Sequence, residues 1–147
     1  MVQIRQAKKD DLEVWLEMRC QLWPSNTKES HQNEMLESIS DKNFVAFLAE
    51  DDGKPVGFLE AFVRPFANGC ESRPVPFLEG IWVTPSYRKQ GISKLMLSKF
   101  EEWVANAGFS EIGSDVEISN ESSISAHQAW GFQETERVVY FKKEVKL

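Results

Sequence analysis

The stretch Thr84–Phe100, TPSYRKQGISKLMLSKF, decides how this sequence is interpreted. It follows the apolar run FLEGIWV and leads into a helical pattern, so it predicts a strand, a turn and a helix. It contains basic residues but no acid, in a chain of formal net charge -6: Arg88, Lys89, Lys94 and Lys99. Gly91 stands where the helix begins. Because the first N–H groups of a helix lack partners and lie at the positive end of its dipole, an anion can bind there. On charge alone, an ordinary solvated helix start is the better interpretation.

Two nucleotide-binding motifs are excluded by the spacing in this stretch. The P-loop pattern GxxxxGK[ST] does not occur in the chain. The dinucleotide fingerprint GxGxxG needs three glycines, and the stretch offers only Gly91. If the anion is a pyrophosphate, a different carrier must supply it.

The residues before this stretch predict three strands and two helices. VQIRQA (2–7) alternates like a strand, and a helix then runs from the capping pair Asp10 and Glu13 as far as Pro24. A second helix is predicted over residues 27–40. FVAFLAE (44–50) and PVGFLEAFV (55–63) surround an Asp-Gly turn and predict a hairpin.

The remaining residues complete one α/β (α+β) pattern. A proline-rich loop (64–76) precedes the strand FLEGIWV, and the helix after Gly91 ends at Gly108. EIGSDVEI (111–118) predicts a strand, NESSISAHQAW (120–130) a helix, and FQETERVVYFKKEV (132–145) a final strand region. The order β-α-α-β-β-β-α-β-α-β favours a single domain, residues 1–147, with a mixed central sheet flanked by helices.

Composition narrows the possible functions. An acidic chain is a poor general nucleic-acid binder, so we expect no nucleic-acid partner. No apolar run approaches the roughly 20 residues that span a bilayer, and the N-terminus lacks a secretory pattern. We therefore expect no membrane partner and a cytoplasmic location. Cys20 and Cys70 are predicted to be free thiols, and two histidines outside an HxxxH pair make a metal site improbable.

Two sequence blocks resemble the GCN5-related N-acetyltransferase superfamily. VTPSYRKQGISKLML resembles its acetyl-CoA motif [RQ]xxGx[GA], with Arg88 and Gly91 in place and Ser93 where the family usually has Gly or Ala. NESSISAHQAWGF resembles the second block, with Asn120, Ser123, His127, Gly131 and Phe132 at the spacings of that block. The resemblance implies acetyl-CoA as cosubstrate and a set of cofactor-binding residues: Ile81, Trp82, Val83, Arg88, Lys89, Gln90, Gly91, Ile92, Ser93, Lys94 and Asn120.

Acetyl transfer needs a deprotonated amine, whose pKa is about 10 for a lysine-like group, and a proton acceptor. Three acids flank the predicted cofactor strands: Glu79, Asp115 and Glu136. Each alone is more often a solvated or paired surface carboxylate. Together they would attract a polycation and accept charge-assisted hydrogen bonds from its ammonium groups.

A closer resemblance covers nearly the whole chain. RCQLWP, NGCESRPVPFLEGIWV, SDVE and HQAWGFQETERVVYF are similar to the chromosomal-type aminoglycoside 6′-N-acetyltransferases of Gram-negative bacteria. That family acetylates polyamine drugs such as tobramycin, amikacin and kanamycin. The resemblance implies Asp115 as general base and substrate-binding roles for Trp23, Phe66, Glu79, Asp115 and Glu136. It also implies a homodimer.

His127 occupies the position of the superfamily tyrosine that protonates the departing thiolate. An imidazolium can do this, but the coenzyme A thiol is weakly basic, and packing beside Trp130 is the competing interpretation. We expect direct attack of the amine in a ternary complex, with a backbone N–H near Val83 polarising the carbonyl. No acyl-enzyme is expected, because neither cysteine has a paired base nearby in sequence.

Two alternatives stay open at the level of sequence. The acceptor could be a protein N-terminus, a lysine or a small polyamine, since an acidic cluster would serve these equally. The chain could also be a non-catalytic acyl-CoA-binding module, which would keep the Gly91 site but need no base; Asp115 with Glu79 speaks mildly against it.

Overall fold

The computed structural model describes all residues 1–147 and places four strands and four α-helices along the chain. They are β1 (Val2–Gln6), α1 (Leu12–Leu22), α2 (Lys28–Ile39), β2 (Phe44–Asp51), β3 (Lys54–Arg64), β4 (Val75–Val83), α3 (Ile92–Asn106) and α4 (Glu121–Ala129). The chain divides into two compact units, Met1–Asp115 and Val116–Leu147. None of the helices combines the length and apolarity needed to cross a membrane.

The sheet belongs to the first unit and is antiparallel, with the strand order β1-β2-β3-β4. The predicted hairpin between β2 and β3 is confirmed, and its turn has positive φ at Asp52 (49°) and Gly53 (84°). Two successive positive φ values match the twist of a two-residue hairpin, which is why Asp-Gly is favoured there. The turn thus sets the pairing of the two longest buried runs.

Helices cover both faces of this sheet. Phe58 of β3 is fully buried in a cluster with Trp15 of α1 and Met35 of α2. Its neighbour Gly57 approaches Met96 of α3, since a Cβ added at Gly57 would lie 3.3 Å from the Met96 methyl carbon. Adjacent residues of a strand point to opposite faces, so α1 and α2 pack on one face and α3 on the other. The predicted α/β class is confirmed.

Two of the predicted strands are not formed. Within 111–118 the only pairing is an isolated parallel bridge between Gly113 and Phe77 of β4. Residues 132–145 contain neither helix nor strand, although Val139, Tyr140 and Phe141 are strand-forming residues and lie 76–92% exposed. Strand-forming residues favour a half-buried pleated surface. A strand forms only where a neighbouring strand pairs with it and provides such a surface.

Candidate active site

The loop Thr84–Gly91 connects β4 to α3, and its backbone carries the clearest functional geometry of the first unit. Gly91 caps α3 with φ 80° and ψ 12°, a left-handed conformation that favours glycine. Lys89, two residues earlier, also has a positive φ of 63°, which is uncommon for a residue with a side chain. Backbone strain of this kind concentrates at ligand clamps. The conformational preferences of its residues therefore do not by themselves explain the backbone of this loop.

The start of α3 presents unbonded donors beside this loop. The first bond of the helix ladder runs from the Leu95 N–H to the Gly91 carbonyl at 3.1 Å. The N–H groups of Ile92, Ser93 and Lys94 precede the ladder and point out of the helix end. No atom lies within 4 Å of a Cβ built on Gly91, so the approach to these donors is open. Donors, dipole and the exposed Lys89 and Lys94 suit a phosphate group.

Arg88 contributes to the loop in a way that its motif position did not predict. Its Nε donates to the Val83 carbonyl at 2.8 Å, and its guanidinium lies 5.9 Å from the Trp82 ring centroid. The Tyr87 hydroxyl donates to Asp51 Oδ2 at 2.9 Å, and this hydrogen bond ties the loop to β2. Arg88 thus braces the end of β4, while the donors facing an anion come from the backbone.

β4 is an edge strand with a bulge at Glu79. Gly80 pairs with Glu60 and Leu78 with Ala61, so Glu79 is an extra residue without an opposing partner. Bulges bend a strand and re-aim a side chain, often beside an active site. Gly80, an isolated glycine inside a strand pattern, was the sequence signal that could have predicted it.

The Glu79 carboxylate is already engaged by an arginine. Arg64 on β3 donates to both Glu79 oxygens, at 2.9 and 2.7 Å, and its guanidinium lies 3.6 Å from the Phe77 ring centroid. A bidentate pair holds a carboxylate in one orientation. An ammonium group that binds Glu79 therefore meets a fixed carboxylate and must share it with Arg64.

Trp23 is held in a defined position at the end of α1. Its indole stacks against His31 (ring centroids 6.3 Å apart, interplanar angle 20°) and meets the edge of Phe58 at 6.2 Å. The Arg19 guanidinium lies 5.0 Å from the indole centroid. A Cβ added at Gly80 would lie only 2.5 Å from Cη2 and Cζ2 of the indole. The indole therefore rests directly on the β4 backbone beside the bulge.

Trp23 and Glu79 line the same cavity, of about 580 Å³, which we call the Trp23 cavity. Its walls come from α1, α2, β3, β4 and three adjoining loop residues: Arg19, Trp23, Asn26, Glu34, Glu37, Ser38, Glu60, Phe62, Val63, Arg64, Pro65 and Glu79. Four of these are glutamates and two are arginines, and Trp23 and Phe62 add apolar surface. Such a mixture suits a ligand that presents both ring faces and cationic groups.

Glu60 is a buried carboxyl at the base of this cavity. It is 4% exposed, accepts a hydrogen bond from Trp15 Nε1 at 2.8 Å, and lies 3.2 Å from Arg19 Nε in an ion pair whose geometry is not that of a hydrogen bond. Burial raises the pKa of Glu60 to about 7, although Arg19 and the Trp15 hydrogen bond oppose the rise. Arg19 also donates to Glu34 Oε2 at 2.8 Å. Sequence reasoning missed Arg19, Glu60 and His31, because nothing local marks them as buried.

Two further predicted residues of the first unit lie outside the cavity lining. Asp115 is exposed and lies two residues after Gly113. The Gly113 carbonyl accepts a hydrogen bond from the Leu78 N–H at 2.8 Å, and this contact brings the segment alongside β4 near Glu79. Phe66, next to the cavity residue Pro65, is 57% exposed, and the Arg73 guanidinium lies 5.5 Å from its ring centroid. The roles of both residues stay predictions.

The predicted residues of the second unit are used in its local structure. Asn120 caps α4, because its Oδ1 accepts from the Ser123 N–H at 3.2 Å. His127 Nδ1 donates to the Ser123 carbonyl at 2.8 Å, and its ring lies 5.1 Å from those of Trp130 and Phe132. Glu136 is exposed in the segment after α4. The role of His127 as an acid stays a prediction.

The family comparison matches this architecture. The profile of the acetyltransferase (GNAT) family matches residues 12–132. The structure contains no group of three or more His, Cys, Asp or Glu side chains that could hold a metal ion.

The chain is similar to named relatives over most of its length. The aminoglycoside N(6′)-acetyltransferase type 1 of Salmonella enteritidis is 41% identical over 141 residues, which cover 95% of this chain and 97% of that protein. The protein of the same name from Serratia marcescens is 43% identical over 136 residues, covering 91% and 93%.

Solved structures superpose equally well. The structure of AAC(6′)-Iy with the bisubstrate analogue CoA-S-monomethyl-acetylneamine has a TM-score of 0.93, 40% identity and 99% coverage of both chains. The aminoglycoside antibiotic 6′-N-acetyltransferase AAC(6′)-Ih from Acinetobacter baumannii gives 0.93 and 38%, with 99% of this chain and 100% of that chain covered.

Proposed function

The chain belongs to the acetyltransferase (GNAT) family, and on this basis we propose that it transfers the acetyl group of acetyl-CoA to the 6′-amino group of aminoglycoside antibiotics, thereby conferring resistance. The relatives named above at about 40% identity are described as 6′-N-acetyltransferases. One of the similar structures is a complex with the bisubstrate analogue CoA-S-monomethyl-acetylneamine. The proposal applies the activity of these relatives to this chain.

One observation of the fold carries the proposal: β4 links two sites with different chemistry. Its C-terminal end leads into the loop Thr84–Gly91, where open backbone donors suit a pyrophosphate. Four residues earlier, Glu79 and the indole above Gly80 border the Trp23 cavity, which is acidic and partly apolar. An enzyme that transfers an acetyl group from an anionic carrier to a cationic sugar needs these two environments along one strand.

The cofactor assignment rests on the fit of the donors to the carrier. The backbone groups of Ile81, Trp82 and Val83 would bind the pantetheine arm along the β4 edge. The pyrophosphate would be held by residues of the loop and the first turn of α3: Arg88, Lys89, Gln90, Gly91, Ile92, Ser93 and Lys94. Asn120 is assigned to the same ligand by its motif position. Acetyl-CoA supplies the activated acetyl thioester when it is bound.

The residues of the chain then have distinct tasks in transfer. Asp115 takes a proton from the substrate ammonium, directly or through water, and thereby frees the nucleophilic lone pair. The amine nitrogen bonds to the acetyl carbon while a backbone N–H near Val83 stabilises the oxyanion. The carbon–sulfur bond breaks, the amide nitrogen releases its surplus proton to solvent, and coenzyme A leaves as thiolate or, with a proton from His127, as thiol. Trp23 and Phe66 pack against sugar rings, and Glu79 and Glu136 accept hydrogen bonds from ammonium groups.

We also infer a homodimer. Val139 and Phe141 lie exposed in a segment that contains neither helix nor strand, and exposed strand-forming residues favour pairing with a second chain. A protein shortened after Gly131 should then elute at the mass of a monomer in light scattering, whereas the full chain elutes as a dimer. A full chain that is monomeric at micromolar concentration would exclude this proposal.

The organisation and location of the protein are part of the same proposal. Residues 1–147 act as a single acetyltransferase domain in the cytoplasm, where acetyl-CoA is available, and bind neither nucleic acid nor a membrane. The formal net charge of -6 supports the absence of a nucleic-acid partner, because it repels phosphate backbones.

The test of the proposed function is the release of free thiol from acetyl-CoA, with kanamycin, tobramycin and an N-terminal peptide as separate acceptors. Release with the drugs, and a 6′-acetylated product by mass spectrometry, is the expected result. Release with the peptide alone would keep the acetyltransferase but exclude the drug-modifying role. Acetyl-CoA binding without release to any acceptor would favour the non-catalytic acyl-CoA-binding alternative.

A further inference from the structure

We propose that His31 is a positioning residue for the acceptor substrate, acting through Trp23. The inference rests on the proposed function, because it assumes that the Trp23 cavity receives the amine. His31 lies in the first turn of α2, is 0% exposed, and is not among the residues that line the cavity. It therefore touches no substrate, and its effect must pass through the residue that it contacts.

His31 contacts Trp23 at two separate points. Its Nε2 is 3.0 Å from the Trp23 carbonyl oxygen, and its ring stacks on the Trp23 indole at 6.3 Å and 20°. Because a carbonyl oxygen can only accept, Nε2 carries the hydrogen. His31 Nδ1 is buried without a hydrogen-bond partner, so the ring has no polar contact that competes with Trp23. One side chain thus fixes both the backbone and the plane of the indole.

The position of Trp23 in the chain explains why it needs this support. It follows the last residue of α1 and precedes Pro24, with φ -122° and ψ 72°, outside the regular regions of helix and strand. Its N–H donates to the Arg19 carbonyl at 2.9 Å, but α1 does not continue beyond it, and the local turn gives its carbonyl only a long hydrogen bond, 3.4 Å, from the Asn26 N–H. Side chains at helix ends are less constrained than those inside. The hydrogen bond from α2 replaces the missing turn as the restraint on the Trp23 backbone.

The remaining contacts of the indole show that its plane matters for the cavity. The indole packs directly against Gly80, since a Cβ there would lie 2.5 Å from it. Arg19 lies over the ring at 5.0 Å, and Arg19 is paired with Glu60 and Glu34 in the cavity wall. A rotated indole would change the apolar face and also displace the arginine beside it. His31 therefore influences the shape and the charge of the acceptor site from outside.

Two substitutions separate the two contacts. His31→Phe keeps an aromatic ring for stacking and removes the donor to the Trp23 carbonyl. His31→Gln keeps an amide N–H for the carbonyl and removes the stacked ring. If the hydrogen bond is the main restraint, His31→Phe raises the KM for the aminoglycoside about tenfold, whereas His31→Gln leaves this KM close to the wild-type value. The KM for acetyl-CoA stays unchanged in both variants. Met35→Leu, a volume-conserving change on the same helix, is the matched control for general loosening of α2.

The decisive measurement is a double-mutant cycle with Trp23→Ala. A residue that acts through Trp23 has no further effect once the indole is gone, so His31→Phe should change acceptor KM less than about twofold in that background. A residue that merely stabilises the fold raises KM equally in both backgrounds, and that result would overturn the proposal. An unchanged acceptor KM for His31→Phe in the wild-type background would overturn it as well. Thermal unfolding of each variant confirms that folded protein is compared, and His31→Leu, which also lacks the donor, serves if His31→Phe does not fold.

The outcomes of this cycle differ from those of the proposed function. Turnover of kanamycin by the wild-type protein decides the drug-modifying role. The acceptor KM in this cycle is measured with whichever amine the wild-type protein acetylates. The positioning role is therefore tested equally well if the acceptor proves to be a peptide. If no amine is acetylated, both proposals fail.

Discussion

The loop Thr84–Gly91 and the Trp23 cavity are built in different ways, although β4 leads directly from one to the other. The loop acts through its backbone: two positive φ values at Lys89 and Gly91 and the free N–H groups of one helix end. The cavity acts through side chains that α1, α2, β3 and β4 bring together. A backbone site needs few residues, close in sequence. A side-chain site depends on the packing of the whole first unit.

This difference predicts which measurements each region controls. Changes in the loop should alter acetyl-CoA kinetics and leave the acceptor alone, and changes around the cavity should do the reverse. Substitution of a residue that acts on the reacting atoms, between the two regions, should alter kcat.

Asp115→Asn removes the proton acceptor while keeping size and polarity. We expect kcat at pH 7 to fall about 10²–10⁴-fold, the usual contribution of a general base. The KM for acetyl-CoA should stay within twofold, because the loop is untouched, and steady-state kinetics with both substrates measures the two effects. Glu117→Gln, an exposed acid two residues further on, is the matched control. A loss of less than fivefold would remove Asp115 from the mechanism.

Glu60 should make the stability of the protein depend on pH in an unusual direction. Its pKa rises from 4.5 to about 7 in the folded state, so between these values the folded protein binds more protons than the unfolded chain. The contribution of Glu60 to the free energy of unfolding is therefore fully present below about pH 4.5. It declines as pH rises towards 7, by about 3 kcal/mol. Urea unfolding between pH 4.5 and 8 measures this decline.

Glu60→Gln is the control for this pH effect. The amide oxygen can still accept from Trp15, but it does not titrate, so the decline with pH should disappear. Asp11, Asp51 and Glu111 have lowered pKa values and contribute stability that is lost only as pH falls through those values, below the window of Glu60. A variant that declines as steeply as the wild-type protein would assign the effect to another group.

Gly80→Ala should damage the acceptor site selectively. The added methyl group would lie 2.5 Å from the indole of Trp23, and overpacking of this kind costs about 1–3 kcal/mol. We expect acceptor KM to rise about tenfold, with acetyl-CoA KM unchanged. In a Trp23→Phe background the clashing atoms are absent, and the added effect of the alanine should shrink. A larger effect in that background would contradict the contact as its cause.

Gly91→Ala should produce the opposite selectivity with a smaller effect. The position has φ 80° and open space around it, so the penalty is conformational, about 1–2 kcal/mol. Acetyl-CoA KM should rise about three- to tenfold, while acceptor KM changes little. Gly108→Ala is the matched control, since Gly108 has φ 88°, equally open space and no place in the loop. Equal kinetic losses in both variants would show a general loss of stability.

The sequence by itself determined the α/β class, the β2–β3 hairpin and the start of α3 at Gly91. Each depends on residues close together in the chain: a period of two, an Asp-Gly turn, a glycine at a helix start. Resemblance to a family added the acetyl-CoA assignment through motifs that are equally local. The part of the site that the sequence indicated was therefore the part that acts through backbone N–H groups.

The tertiary structure decided what the sequence could not express. Glu79 pairs with Arg64 across two strands, and Glu60 is buried against Arg19, because contacts between distant residues fix the surroundings of each charge. The same reason explains the wrong prediction of strands over 111–118 and 132–145, where the residues favour a strand but the chain provides almost no neighbour. Local sequence fixes what a backbone can do, whereas the pairing of strands and the charge state of a buried group depend on which neighbours folding brings to them.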